Sequence, residues 1–373
     1  MKVLLAGGGT AGHINPAIAI AQTIKEHNPS AEIMFIGNEG GLEQKLVPDA
    51  GFSIKSVSIR GFKRSLSPKA ICENIGTVFK AMSSSKAAKK MIKEFAPDIC
   101  VGTGGYVSGP VIRAAQKLSI PTVIHEQNAY PGVTNKMLSK EAKCVMLAMD
   151  AARKHFDKSC KFSLTGNPVR SQILNADKES ARKALGLDER PLVLSFGGSM
   201  GARKINENMA PLIARSGKDG KYQHIHGYGK YGLWFPELLK EKGCDASKCS
   251  NLDVREYINN MDVCLAAADL VVCRCGAITL TEIQIMGKPS VLIPSPTVAE
   301  NHQFHNAMAL VNENAASVIE EKDLTSERLT EEIDRIVSDK KLLKEYGDNA
   351  HKMAISDANE RIYKVIEEVL SKK

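Results

Sequence analysis

The feature that most constrains the fold is a unit that occurs four times along the chain: a short apolar stretch, a glycine turn, and then residues with helical spacing. The turns lie at residues 7–12, 102–105 and 197–201 and at Gly276. Strands that alternate with helices favour a parallel sheet with helices on both faces. Because the unit starts again in the second half of the chain, we predict an α/β fold with two doubly wound, Rossmann-like domains.

The length of the chain and the segment at 165–170 define the predicted domains. A chain of 373 residues can form two ordinary domains, each with its own core. The segment Thr-Gly-Asn-Pro-Val-Arg at 165–170 is typical of a turn with extended backbone before the proline. We therefore predict domains at 1–164 and 165–373, with a last helix at about 357–370 that returns to the first domain.

Composition and charge limit the kinds of function that the protein can have. The nine cysteines are odd in number and form no C-x-x-C pair, which favours reduced thiols over a disulfide framework. No apolar run approaches the roughly 20 residues that a bilayer span needs. The formal charge of +8 suits an acidic partner: nucleic acid, an anionic membrane surface or a phosphorylated substrate. Few aromatic residues lie among the basic ones, so nucleic acid is the least supported.

The stretch 269–306 has the clearest ligand-binding pattern. The apolar run 270–273 leads into Gly276, then into a helical stretch and a second buried strand. Helix N-termini beyond the strand ends of a parallel sheet favour an anion. Glu282 lies too deep in the helix to cap it and can accept two neighbouring hydroxyls, which suits the phosphates and ribose of a nucleotide. On the alternative interpretation, Glu282 is a solvated helix residue and Gly276 only a turn.

The first glycine loop, residues 7–12, has the Gly-x-Gly-x-x-Gly spacing of dinucleotide-binding domains and can bring backbone amides close to a phosphate. That fingerprint expects an acidic residue at the end of the second strand, and here only Glu39 lies loosely nearby. A nicotinamide-dependent oxidoreductase is therefore a disfavoured alternative. His13 closes the loop, either as a packing or capping histidine or as a functional group facing the crevice.

Two further groups of residues follow predicted strands in the first half. The loop 102–105 has three glycines in four positions, more than one tight turn needs, and beside the first loop it can hold a diphosphate. The run His-Glu-Gln-Asn at 125–128 follows the next strand, and these polar side chains are site candidates. Alternatively, His125 and Glu126 satisfy each other and nearby backbone.

The second half adds three candidates. Arg170 has the planar donor fork that suits a diphosphate, although it could be a surface arginine. The Ser199 hydroxyl, in the third glycine loop, is a plausible phosphate donor. His224 and His226 lie on one face of a strand, but without a third ligand nearby a metal site is disfavoured.

A helix predicted to start near residue 67 has an apolar stripe with lysines around it. Such a helix can lie on an anionic membrane surface, although a core-facing helix with a solvated basic face is the commoner case. The candidate membrane residues are Lys63, Arg64, Lys69, Ile75, Phe79 and Met82.

Taken together and in this order, these motifs resemble the MurG family of nucleotide-sugar glycosyltransferases. The resemblance spans essentially the whole chain and rests on the three glycine loops, the run at 125–128, Gly-Asn-Pro-Val-Arg at 166–170 and the Glu282 segment. It implies the GT-B architecture, in which two domains face each other across a cleft. Residues 1–164 would bind the lipid-linked acceptor, lipid I, and the membrane, and residues 165–373 would bind UDP-N-acetylglucosamine.

The reaction implied by the resemblance is an inverting transfer of N-acetylglucosamine to the C4 hydroxyl of the muramyl sugar of lipid I, giving lipid II and UDP in peptidoglycan synthesis. Its expected place is the cytoplasmic face of the cell membrane, as a peripheral protein. The chain contains no Asp-x-Asp pair to hold a metal on the nucleotide, so we expect metal-independent transfer without a cofactor.

The resemblance also implies roles for single residues. His13 is the candidate catalytic base, or it orients the acceptor. Glu282 would bind the ribose, and the backbone at Ile258 would contact the uracil. The full donor-binding set is Thr10, Ala11, Gly12, Asn128, Arg170, Ser199, Ile258, Ala277, Ile278, Thr279, Leu280, Glu282, His302 and Gln303. The acceptor-binding set is Gly102, Thr103, Gly104, Gly105 and Tyr106.

Three positions depart from the family pattern: Ala11 replaces a glycine, and Met200 and His302 stand where glutamine is common. Three alternatives stay open at this point. A UDP-N-acetylglucosamine 2-epimerase has the same two-domain architecture and binds the same nucleotide sugar. A diacylglycerol glycosyltransferase has the same fold, and a non-catalytic nucleotide-sugar sensor would keep only the donor site. The basic apolar stripe and the loop 102–105 argue against the epimerase.

Overall fold

The structure of the protein is a computed structural model, and it describes residues 1–58 and 85–372. Contacts divide the chain into two compact units: Met1–Pro168 together with Ile355–Lys373, and Val169–Ala354. Each unit is a parallel sheet with packed helices. The predicted α/β class with two doubly wound domains is confirmed.

The first unit contains a seven-stranded sheet. Its strands are β1 Lys2–Gly7, β2 Glu32–Asn38, β3 Ser53–Val57, β4 Ile99–Gly104, β5 Thr122–Glu126, β6 Cys144–Leu147 and β7 Phe162–Leu164. They pair in parallel in the order β3-β2-β1-β4-β5-β6-β7. Its helices are α1 Ala11–His27, α2 Glu43–Asp49, α3 at 85–95, α4 Gly105–Gln116, α5 Val133–Ser139, the 3₁₀ turn Asp150–His155 and the last helix of the chain, α15 Ala358–Ser371.

The second unit contains a six-stranded sheet. Its strands are β8 Leu192–Phe196, β9 Gln223–Gly227, β10 Leu252–Arg255, β11 Leu270–Cys273, β12 Ser290–Leu292 and β13 Ser317–Val318. They pair in parallel in the order β10-β9-β8-β11-β12-β13. Its α-helices are α6 Ser171–Leu174, α7 Lys178–Ala184, α8 Arg203–Asp219, α9 Phe235–Glu241, α10 Met261–Ala267, α11 Ala277–Ile285, α12 His302–Val311, α13 Ser326–Ser338 and α14 Lys340–Lys352. Short 3₁₀ turns lie at Lys230–Gly232, Ala246–Lys248, Ala299–Asn301 and Glu321–Asp323.

The strand order reverses once in each sheet. In the first sheet the reversal lies between β1 and β4, and in the second it lies between β8 and β11. In doubly wound sheets, ligands bind beyond the carboxyl ends of the strands at this switch point. All four glycine turns predicted from the sequence follow these four strands.

The central strands are apolar because helices cover the sheet on both faces. In β1, Val3, Leu4, Leu5 and Ala6 are fully buried although neighbouring side chains point to opposite faces. Val3 and Leu5 belong to one core cluster, and Leu4 and Ala6 belong to another. This burial fixes the strands that carry the glycine turns.

The last helix belongs to the first unit, where Ile362, Val365 and Ile366 of α15 share a core cluster with Ile20 and Ile24 of α1. The unit boundary differs slightly from the predicted one at 164/165. Residues 165–168 remain with the first unit because the Asn167 side-chain amide donates to the Gln127 carbonyl oxygen at 3.3 Å.

The predicted membrane residues Lys63, Arg64, Lys69, Ile75, Phe79 and Met82 lie outside the described residues. Among the residues that are described, no helix is both long and apolar enough to cross a bilayer.

Candidate functional site

The glycine loops after β1 and β4 are in direct contact. Thr103 Oγ1 donates to the His13 carbonyl oxygen at 2.7 Å, and Gly8 N donates to the Gly104 carbonyl oxygen at 3.4 Å. The backbones leave no room for a side chain, because a Cβ at Gly105 would lie 2.0 Å from the Gly8 carbonyl oxygen. Gly102, Thr103 and Gly104 end β4, and Gly105 and Tyr106 begin α4. The predicted acceptor-binding residues therefore form one edge of the first switch point.

The amides of the first loop are arranged differently from the expectation that they would cradle a phosphate. Gly8 N bonds the second loop, and Gly9 N donates to the Glu43 carboxylate at 3.4 Å. These two amides are used inside the protein. The groups that point outward belong to the first turn of α1, where Thr10 makes no side-chain cap and Thr10, Ala11 and Gly12 are exposed.

Glu43 is a buried carboxylate that the sequence analysis missed. It is fully buried and also accepts the Asn38 amide at 2.8 Å. A Cβ at Gly8 would lie 2.5 Å from its Oε1, and one at Gly37 would lie 2.6 Å from its Cγ. Together with burial, Glu43 raises the pKa of Tyr106, so the phenol stays neutral at physiological pH. The signal in the sequence was the two glycines at 37 and 41, which leave space for this side chain.

His13 lies where the two loops meet. Its Nδ1 is 3.1 Å from Thr10 Oγ1, and a Cβ at Gly104 would lie 3.0 Å from its Cδ2. The glycine at 104, with φ of 101°, thus allows the imidazole to lie against the second loop. The ring is half-buried, so one side of it faces solvent.

The polar run after β5 is organised by Glu126 rather than by a His125–Glu126 pair. The buried Glu126 carboxylate accepts from Asn128 N and Nδ2 at 3.0 Å each, from Gly132 N at 3.1 Å and from Asn135 Nδ2 at 2.8 Å. Burial raises the pKa of Glu126, and these donors oppose the rise. His125 bonds the Gly166 carbonyl oxygen at 3.0 Å, and burial lowers its pKa to about 4. Asn128 is therefore held in place through its amide, and Asn135 is a second positioning residue that the sequence analysis missed.

In the second unit, two predicted donor-binding residues contact each other. Arg170 donates to Glu282 Oε1 at 2.9 Å; the Arg170 side chain is 58% exposed and that of Glu282 only 12%. Burial raises the pKa of the Glu282 carboxyl, and Arg170 opposes that rise. From the sequence, Arg170 was predicted to bind a diphosphate and Glu282 to bind a ribose. The hydrogen bond between the two side chains was not predicted.

The N-terminus of α11 is uncapped by side chains, and Gly276 precedes it in an extended conformation. Ala277, Ile278 and Thr279 form its first turn, whose amides have no partner within a helix. Gln303 Oε1 accepts from Cys275 N at 3.2 Å and from Ser295 N at 2.9 Å, which ties together the loops after β11 and β12. Its side-chain NH₂ is thus the group left to donate to a ligand.

His302 begins α12 and is half-buried. The residue before it, Asn301, has φ of 49°, a left-handed conformation that turns the chain sharply into the helix. His302 and Gln303 therefore lie in the first turn of the helix that follows the β12 loop.

The loop after β8 presents its side chains to solvent. Ser199 and Met200 are exposed, while their carbonyl oxygens accept from Lys230 N at 3.1 Å and Tyr231 N at 3.0 Å. Ile258 is buried beyond the end of β10. A loop held by its backbone with a serine hydroxyl free to turn outward suits a phosphate contact.

The two histidines of β9 do not share a ligand. His226 Nδ1 lies 2.7 Å from Ser195 Oγ, and His224 Nε2 lies 3.0 Å from Ser216 Oγ. Within residues 1–58 and 85–372, no group of three or more His, Cys, Asp or Glu side chains could hold a metal ion.

Comparisons with known proteins identify the family. Residues 3–147 match the glycosyltransferase family 28 N-terminal domain, and residues 192–362 match its C-terminal domain. A UDP-N-acetylglucosamine–N-acetylmuramyl-(pentapeptide) pyrophosphoryl-undecaprenol N-acetylglucosamine transferase of Acetivibrio thermocellus is 46% identical, over 100% of this chain and 99% of the relative. A transferase of the same name from Thermoanaerobacter sp. is 44% identical, over 99% and 100%. The crystal structure of Acinetobacter baumannii MurG is similar with a TM-score of 0.78 and 28% identity, over 98% of this chain and 99% of that one. The chain belongs to the MurG family.

As a MurG-family chain, it has its predicted site residues at the carboxyl edges of the two sheets. Thr10–His13, the loop 102–106 and Asn128 lie at the first, in the first unit. Arg170, Ser199, Ile258, the start of α11 with Glu282, and His302 with Gln303 belong to the second unit. The roles of these residues in binding stay predictions.

Proposed function

We propose that this protein transfers N-acetylglucosamine from UDP-N-acetylglucosamine to the C4 hydroxyl of the muramyl sugar of lipid I, giving lipid II and UDP. The observation that supports this most is the 46% identity over the whole chain with a transferase whose name states that donor and that class of acceptor. The product serves peptidoglycan synthesis. The second unit would bind the donor and the first unit the acceptor.

The proposed donor site is the carboxyl edge of the second sheet. Glu282 would accept the ribose hydroxyls, the backbone at Ile258 would contact the uracil, and the NH₂ of Gln303 together with His302 would contact the sugar. The negative charge that develops on the leaving diphosphate needs donors that are already in place. Ser199 and the first-turn amides of Ala277, Ile278 and Thr279 would supply them, since an uncapped helix N-terminus favours an anion. The amide of Leu280, predicted with them, instead donates to the Gly276 carbonyl oxygen at 3.0 Å.

The proposed acceptor site is the carboxyl edge of the first sheet. The first turn of α4, with Gly104, Gly105 and Tyr106, would hold the acceptor diphosphate. His13 would take the proton from the attacking hydroxyl, because a histidine imidazole can act as a general base at neutral pH. The hydrogen bond between Thr10 Oγ1 and His13 Nδ1 would fix the orientation of the imidazole ring. Attack on the anomeric carbon from the face opposite the diphosphate gives inversion.

We further propose that the protein works as a peripheral protein at the cytoplasmic face of the membrane, where a lipid-linked acceptor is found. The candidate surface comprises Lys63, Arg64, Lys69, Ile75, Phe79 and Met82. Reversing the charges at residues 63, 64 and 69 to glutamate should reduce sedimentation with anionic vesicles, and the difference should shrink at high salt. Equal sedimentation of both proteins would remove this surface from the proposal.

The function is tested by incubating the protein with radiolabelled UDP-N-acetylglucosamine, alone, with a lipid I analogue, or with diacylglycerol. We expect label in the lipid fraction and release of UDP only with the lipid I analogue. Formation of UDP-N-acetylmannosamine without acceptor would indicate the epimerase, label in diacylglycerol the lipid glycosyltransferase, and tight UDP binding without turnover a sensor.

A further inference from the structure

The contact between Arg170 and Glu282 assigns both groups to one place in the donor site. Arg170 stands just before α6 and Glu282 lies in the second turn of α11, and their side chains meet at 2.9 Å. Resting on the proposed function, we infer that Arg170 acts as a positioning residue for Glu282: it keeps its bond to Oε1 while the ribose hydroxyls bind the same carboxylate, and it does not bind the diphosphate.

The stereochemistry of a carboxylate allows both contacts at once. An ionised carboxylate has two oxygens and about four lone-pair sites, and Arg170 uses one oxygen through a single nitrogen. Two neighbouring ribose hydroxyls can then donate to the remaining sites. Binding needs no exchange of partners on Glu282, so the site is already formed before the nucleotide arrives.

Electrostatics explains why Glu282 needs this partner. Burial raises the pKa of its carboxyl, and Asp262 on α10 raises it further, while the charge and hydrogen bond of Arg170 lower it. Cys273 on β11 also faces the carboxylate, but its own pKa is raised to about 12, so the thiol stays neutral. Without Arg170, Glu282 would keep its proton up to a higher pH, and a protonated carboxyl accepts fewer hydrogen bonds from hydroxyls than a carboxylate does. Moving Arg170 to a diphosphate would remove that support at the moment when the ribose binds.

The test separates the ribose from the phosphates. Binding of uridine and of UDP is measured for the wild type, Arg170→Met, Glu282→Gln and the double variant. We expect Arg170→Met to weaken uridine and UDP by the same factor, about tenfold or more, since the ligand loses charge-assisted hydrogen bonds. In the Glu282→Gln background, Arg170→Met should have no further effect. Arg170→Lys, which keeps the charge, should recover part of the uridine affinity.

Two further measurements guard against a merely structural effect. The uridine affinity of Arg170→Met should recover as the pH is raised, because a carboxyl whose pKa is raised by burial ionises more fully at higher pH. Arg335→Met removes an arginine that pairs with Glu332 on α13, outside the site, and should change neither affinity. Thermal melting shows whether each variant is folded.

The opposite pattern would overturn the inference. If Arg170→Met left the uridine affinity unchanged but weakened UDP binding, and if this loss added to that of Glu282→Gln in the double variant, Arg170 would bind the diphosphate. No effect on either ligand would also overturn it. If the wild type itself binds no UDP, the proposed function fails instead, so the two failures are distinguishable.

Discussion

At the scale of single residues, buried ionisable groups fix the geometry around both switch points. Glu43 and Glu126 each accept backbone amides at the end of a strand, and Arg170 supports the buried carboxyl of Glu282. Each group organises its neighbours through hydrogen bonds that water would otherwise make. The structural role of each carboxylate therefore depends on hydrogen-bond partners that only folding brings close to it.

This dependence explains which site residues could be predicted from the sequence. The position of Glu282 in the helix after Gly276 was predictable because that spacing is local, and its role in binding stays a prediction. Glu43 was not, because it lies 34 residues from Gly9 along the chain and its role depends on that contact. The Arg170–Glu282 pair spans 112 residues and was missed for the same reason.

Buried histidines predict how stability depends on pH. Burial lowers the pKa of His224 and of His226 to about 3. In the unfolded chain a histidine takes up its proton near pH 6.5, so below that pH the unfolded state binds more protons than the native state. Stability is therefore expected to fall as the pH decreases from about 6.5 toward 3.

The variant His224→Gln tests this at one site. At pH 8 it should cost about 1–3 kcal/mol through the lost contact with Ser216. Between pH 6 and pH 4, the pH dependence of its unfolding free energy should be shallower by up to about 1.4 kcal/mol per pH unit. Urea unfolding across this range measures both effects, and a slope equal to that of the wild type would contradict the assignment.

At the scale of elements, the strand–glycine–helix units determined the fold prediction almost completely. Their apolar strands and helical spacing are local patterns, so the two parallel sheets followed from the sequence. The direction of the loop amides did not follow, since Gly8 N and Gly9 N bond Gly104 and Glu43 rather than pointing outward. Which loop groups face a ligand depends on the neighbouring loop, which the sequence pattern does not describe.

The contact between the two glycine loops predicts a large effect of Gly105→Ala. Gly105 has φ of 80°, and a Cβ there would lie 2.0 Å from the Gly8 carbonyl oxygen. We expect a loss of about 2 kcal/mol or more of stability and at least about tenfold of transfer activity, because the loop that holds His13 must move.

Gly132→Ala is the matched control for the loop variant. Gly132 has φ of −66°, which any residue adopts, and a Cβ there would meet no atom within 4 Å. Stability should stay within about 0.5 kcal/mol of the wild type. Thermal melting and the transfer assay measure both variants, and equal behaviour of the two would contradict the steric argument.

At the scale of the whole molecule, the chain returns to its first unit after completing the second. The domain boundary near residue 165 was predictable from its turn residues, but the four residues up to Pro168 stay with the first unit through contacts of Asn167 that no local pattern reveals. The last helix closes the core over α1, where His27 stacks on Tyr363 with ring centroids 4.2 Å apart. The core of the first unit therefore includes side chains of the last helix.

Ile366→Ala tests the contribution of the last helix to the first unit. Ile366 is fully buried in the core cluster with α1, so its truncation should cost about 2–5 kcal/mol of stability. Lys364→Ala, at an exposed position of the same helix, should stay within about 0.5 kcal/mol. Urea unfolding compares the two, and an equal effect would show that the helix is not docked as described.

The central claim is that the edge of the second sheet with Glu282 is the donor site of a MurG-type transfer, and steady-state kinetics with a lipid I analogue test it most directly. Glu282→Gln should lower kcat/KM for UDP-N-acetylglucosamine about 10- to 100-fold, because the ribose hydroxyls lose a charged acceptor. Glu313→Gln, which changes an exposed carboxylate of the same unit, should leave kcat/KM unchanged. A kcat/KM equal to that of the wild type in Glu282→Gln would contradict the account.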